Sequence, residues 1–216
     1  MQPEPVRKKP RLRGVSHEVA AYLSLPVAWV LLNQARGHRA FVAALTYGAS
    51  LILLFSASAI YHRPHWRPRP RNLIGRVDQA SIFVLIAGTY TPFCLMLAGG
   101  GGRRMLLAVW TSALAGVVLA LVWHGAPKRL MAGIYVLQGW FVIPVLPSLY
   151  AALPGNAFAL LLLGGLLYTV GAAVYAFRHP NPYPAVFGYH EIFHLFVLGA
   201  AACHAVVVST AIQALG

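Results

Sequence analysis

Seven predominantly apolar stretches, each long enough to cross a bilayer, leave this chain few ways to fold. Crossing the hydrocarbon core takes roughly 20 apolar residues, with a range of about 17–25. Lipid offers no partner to a free backbone amide, so each stretch must close its own hydrogen bonds as a helix. The runs predict spans over residues 19–35, 40–61, 77–98, 105–123, 130–153, 157–177 and 189–215. Pro26 interrupts the first and Pro144 with Pro147 the fifth, which membrane helices accommodate as kinks. Composition agrees: 59% of residues are hydrophobic and 10% charged, against about 45–50% and about 25% in soluble domains. The expected fold is an all-α, seven-helix integral membrane bundle. Residues 1–18 are read as a short basic cytoplasmic tail and 19–216 as a single transmembrane domain.

The charge pattern orients the bundle. Seventeen Lys and Arg oppose four acids, Glu4, Glu18, Asp78 and Glu191, for a net charge of +13. Most of the basic residues lie in short segments between apolar runs, where they act as topology signals beside anionic lipid headgroups rather than as a nucleic-acid surface. Thirteen fall in the tail and the loops on its side of the membrane, and four on the other side. Positive-inside bias therefore predicts a cytoplasmic N-terminus and an external C-terminus. No small-residue cleavage site follows the basic start, so the first span is read as its own insertion signal. Cys94 and Cys203 lie within apolar runs and read as small core residues rather than a disulfide.

Against this apolar background five polar side chains stand out. Ser58 and His62 lie four apart on the second run, and His190 and His194 lie four apart on the last, so each pair shares a helix face. Polar groups in membrane helices are costly and usually face an interior site or a partner. With the N-terminus inside, His62 ends an inward span, Asp78 begins an outward one, and His190 and His194 lie near the cytoplasmic start of the last. Three segments far apart in sequence thus carry metal-type residues to one depth on one side. Three imidazoles and a carboxylate read as a zinc site with an open coordination position, with His62, His190 and His194 as ligands. Asp78, the sole carboxylate between Glu18 and Glu191, either ligates directly or accepts a proton as general base, the second role being preferred. Ser58 is a poorer ligand and is read as a hydrogen-bonding group beside the metal.

The string His190-Glu191-Ile192-Phe193-His194 spells HExxH, in which zinc proteases use the glutamate as base. In a membrane helix the two-histidine geometry carries over and the protease identity does not. Glu191 has two readings, catalytic, or bonded to an arginine or a helix end. His204 returns to nearly the face of His190 about 21 Å deeper, too far to share the metal, and is read as an interhelical hydrogen bond. His17, His38, His65, His124 and His179 read as interface histidines. Gly88-Thr89-Tyr90-Thr91-Pro92 suits close helix packing and a kink, with Tyr90 lining a cavity.

The run Ser58-x-x-x-His62, Asp78 ahead of IAGTYTPF, HEIFHLFVLGAAACH near the C-terminus, and Arg13, Gly14 and His17 at the start together resemble the hemolysin III proteins. These are bacterial relatives of the adiponectin and progestin receptors. The resemblance implies a seven-helix bundle of the bacterial inner membrane with zinc held by three histidines near the cytoplasmic side. Alkaline ceramidases are similar in the serine, aspartate and three-histidine pattern, which implies amide hydrolysis of a membrane lipid by zinc-activated water, with Asp78 and Ser58 as catalytic residues. The alternatives are a non-enzymatic sensor or regulator with structural zinc, a hemolysin-like membrane-perturbing protein, and, with less support, a pore. The expected partners are a membrane lipid as substrate or ligand and anionic headgroups at the cytoplasmic face.

Overall fold

The computed structural model describes residues 9–97, 100–123 and 125–216. His124 and the start of the tail to residue 8 lie outside the described residues. The described chain is helical throughout: α1 (Val15–Gln34), α2 (Gly37–His62), α3 (Pro68–Met96), α4 (Gly100–Val122), α5 (Lys128–Gly139), α6 (Leu146–Ala152), α7 (Gly155–Phe177) and α8 (Tyr189–Leu215). A 3-10 turn, Trp140–Val145, joins α5 to α6, so that Lys128–Ala152 makes one span, the fifth of seven. Proline explains that break. Pro144 has no amide hydrogen to give, and Pro147 opens α6, where its amide would be free in any case. Pro26 lies inside α1, which runs through it as one helix.

The bundle has an inside and an outside. Within the best apolar window of each span, 67% of residues are buried in α3, 56% in α2 and 44% in α8, against 17% to 28% in the others. The three inner helices are those that carry Asp78, Ser58 with His62, and the His190–His194 pair, as the cost of polar groups in lipid requires. α8 packs against α1, α2, α3 and α7, while α3 lies between two apolar clusters. One holds Leu85 and Phe93 with Tyr47, Phe55, Val208 and Ile212. The other holds Phe83, Ala87 and Tyr90 with Val109, Ala113 and Met131.

Close packing of α2 on α3 depends on Gly88, where an added Cβ would meet the Ser50 hydroxyl. Tyr90 donates to the Gly139 carbonyl at 2.6 Å, bringing α3 against the end of α5 beside an internal cavity that it lines. His204 is buried, and its Nε2–H donates to the Leu161 carbonyl at 3.1 Å, the interhelical bond expected of it. His38, His65 and His179 are exposed, and Cys94 and Cys203 are free thiols.

Candidate metal centre

The last residue of α2 meets the first two turns of α8. His62, His190 and His194 each offer a ligand nitrogen within 4.8 Å of the other two, and all three rings are buried. Nε2 of His62 and Nε2 of His190 are 3.2 Å apart. Two nitrogens at zinc–nitrogen distances of about 2.0–2.1 Å on a tetrahedral ion stand about 3.3 Å apart. The observed 3.2 Å matches that separation, and a shared cation accounts for rings gathered in this way. The donor set therefore fits a zinc-type ion. Asp78 Oδ2 lies 3.6 Å from His62 Nε2, close enough to ligate or to stand one atom beyond the ligands.

Both oxygens of Glu191 are engaged elsewhere. Oε1 accepts from Arg13 Nε at 2.5 Å, and Oε2 accepts from the Gly188 amide at 2.8 Å, which caps α8. Each oxygen is thus committed to a partner outside the three histidines, unlike the free base of a zinc protease. The reading that bonds Glu191 to an arginine and a helix end is the one the geometry follows.

His17 is a correction. It is 3% exposed, not an interface residue. Its ring lies flat on His194, with centroids 3.7 Å apart and planes 6° from parallel, and its Nδ1 is 2.8 Å from Ser58 Oγ. The reason lies in the chain before α1. Arg11 and Leu12 pair through their amides with the carbonyls of Ala185 and Val186, and Arg63 of the α2 end holds Glu18 at 2.6 Å. These bonds draw the start of α1 onto the ends of α2 and α8. Hydropathy could not show this, because His17 precedes the first apolar run; the resemblance carried by Arg13, Gly14 and His17 was the available signal.

Gly14 permits the approach. It adopts φ +80°, and a Cβ there would lie 2.5 Å from His62 Cβ. The left-handed conformation alone costs other residues roughly 1–2 kcal/mol. We expect Gly14→Ala to lose at least about that much stability and to weaken metal retention, because the obstructing atom belongs to His62. Thermal unfolding and metal analysis check both effects; unchanged metal content would mean that α1 does not fix the site.

A cavity of about 1410 Å³ opens beside the cluster, larger than the roughly 300–1,000 Å³ of pockets for drug-sized ligands. Lys9, Arg13, Arg71 and Lys128 lie at its polar end with Ser58, His62 and Asp78, and Leu85, Phe93, Val142, Leu161 and Val197 line its apolar part. Among the described residues Glu18 pairs with Arg63 and Glu191 with Arg13, whereas Lys9, Arg71 and Lys128 have no carboxylate partner. Burial and the neighbouring Arg63, Arg13 and Arg71 lower the pKa of Lys9, the mark of crowded cations.

Comparison with known proteins gives the family. The family profile described as Haemolysin-III related matches residues 6–205. The chain belongs to the haemolysin-III-related family. Among its relatives, hemolysin-3 of Bacillus cereus is 36% identical over 193 residues, covering 88% of this chain and 85% of that protein. The hemolysin-3 homolog of Bacillus subtilis (strain 168) is 34% identical, covering 88% and 87%. The adiponectin receptor protein of Drosophila melanogaster is 27% identical over 150 residues, which are 62% of this chain and 34% of the receptor. This haemolysin-III-related chain is thus a multi-pass membrane protein with a buried three-histidine cluster able to hold a metal ion.

Proposed function

We propose that this protein is a zinc-dependent lipid hydrolase of the amidase type in the bacterial inner membrane. The supporting observation is the grouping of His62, His190, His194 and Asp78 at the basic end of a large, otherwise apolar cavity. Zinc in a three-histidine site with an open position lowers the pKa of bound water to about 7 and polarises a carbonyl. The protein's own residues supply the remainder. The apolar cavity wall takes an acyl chain out of the membrane and holds its carbonyl end near the histidines. Lys9, Arg71 and Lys128 receive an anionic headgroup at the mouth. Asp78 accepts the proton at a carboxylate oxygen. Ser58, bonded to His17 and neighbouring Asp78, orients that carboxylate.

The test is release of fatty acid from ceramides and other acyl-amide or ester lipids by the purified protein, with loss of activity on chelation and recovery on adding zinc. Hydrolysis indifferent to chelation would overturn the mechanism. A second reading, a membrane regulator with structural metal, draws on the fact that the same ion would tie α2 to α8. Orientation is tested separately. From the distribution of Lys and Arg, a reporter fused after Gly216 is expected outside the cytoplasm; a cytoplasmic signal there would contradict a cytoplasmic N-terminus with seven spans.

A further inference from the structure

His17 belongs to none of the metal-ligand patterns in the sequence, yet it touches the site twice. One face of its ring lies on His194, and its edge meets Phe55 at 5.1 Å and 78°. Its Nδ1 shares one hydrogen with Ser58 Oγ across 2.8 Å, and its Nε2 is buried without a partner. The unpartnered Nε2 gives the direction of that hydrogen bond, from His17 Nδ1–H to Ser58 Oγ. The opposite tautomer would place a hydrogen on Nε2 and leave a buried N–H unpaired, which is rarer in proteins than an unpaired acceptor.

We infer that His17 is a positioning residue of the metal centre: its Nδ1–H donates to Ser58 one turn before His62, while its ring face fixes the imidazole plane of His194. One side chain of α1 then aligns α2 and α8 at once. Groups that support a metal site from behind its ligands typically change metal affinity or activity by about 10–100-fold when removed. The ring-stacking part of this role rests on the reading of His194 as a metal ligand, whereas the hydrogen-bond polarity does not.

Three variants separate the two contributions. His17→Phe keeps a ring face and removes the donor, His17→Asn keeps an N–H near the Nδ1 position and removes the ring, and His17→Ala removes both. Zinc affinity is measured by chelator competition, and ligand geometry by the visible absorption of the cobalt-substituted protein. Nitrogen-15 spectra of histidine-labelled, metal-free protein report the tautomer directly. We expect the Nδ1–H tautomer for His17, an affinity loss of about 10–100-fold in His17→Ala, and partial recovery in each of the other two. The cobalt spectrum should be restored more by Phe than by Asn.

An Nε2–H tautomer overturns the polarity. Unchanged affinity and cobalt spectrum in His17→Ala overturn the positioning of His194. Should the alanine variant fail to fold, the phenylalanine and asparagine variants and the tautomer decide the matter. If the unmodified protein takes up no metal, the metal-centre reading fails by itself, and the tautomer still decides the hydrogen-bond polarity.

Discussion

A chain carrying His190→Ala and His194→Ala is expected to purify with essentially no zinc, where the unmodified protein carries about one ion per chain. Both residues come from one face of α8, and their removal leaves His62 as the sole imidazole of a cluster whose nitrogens lie within 4.8 Å. One imidazole does not hold the ion against water. The effect should extend to stability, because an ion bound by the folded state alone stabilises it by about 2.7 kcal/mol when present at a hundred times its dissociation constant. Metal analysis and thermal unfolding with and without added zinc check both parts. Full zinc occupancy in the double variant would sink the assignment, and His62→Ala should reproduce most of the loss from the α2 side.

Asp78→Asn is expected to abolish lipid hydrolysis while leaving the metal largely bound. The exchange keeps the size of the side chain and removes the charge that takes up the proton. Its oxygen stands 3.6 Å from a ligand nitrogen, a spacing open to a ligand and to a neighbour of the ligands alike, so the metal content of this variant decides between them. Ser58→Ala should be milder, since it deletes a neutral hydroxyl. If metal and activity disappear together in Asp78→Asn, the carboxylate is a ligand and the proton acceptor must be sought elsewhere. If the unmodified protein hydrolyses no lipid and the variant alters only thermal stability or signalling, the regulator reading stands.

The spans were legible because hydropathy and helix length are one constraint in a bilayer. The last run, 189–215, coincides with α8. Where they differ, the difference is polar. α3 begins at Pro68, nine residues before its apolar stretch, since Arg69, Asn72 and Arg76 form helix where polar side chains can reach water or headgroups and hydropathy does not count them. α1 begins at Val15 for a different reason: its first turn is buried by protein rather than lipid. In the site, the i, i+4 pairs showed which faces matter, and the charge pattern showed which ends could meet. Neither could show His17, whose role depends on contacts across 41 residues to Ser58 and 177 residues to His194. The bonding of Glu191 to Arg13, 178 residues away, was likewise beyond local pattern.

The centre is built from helices far apart in the sequence. His62 and His190 are separated by 128 positions, and α8, which completes the cluster, follows five helices after α3. A nascent chain with six spans in place has α1, α2 and α3 ready but no α8, hence one histidine of three. Metal uptake would therefore report the insertion of α8, and a chain stalled or cleaved before Tyr189 would lack two of the three histidines. Timing of this kind would keep any reactivity of the site confined to molecules in which α8 is in place.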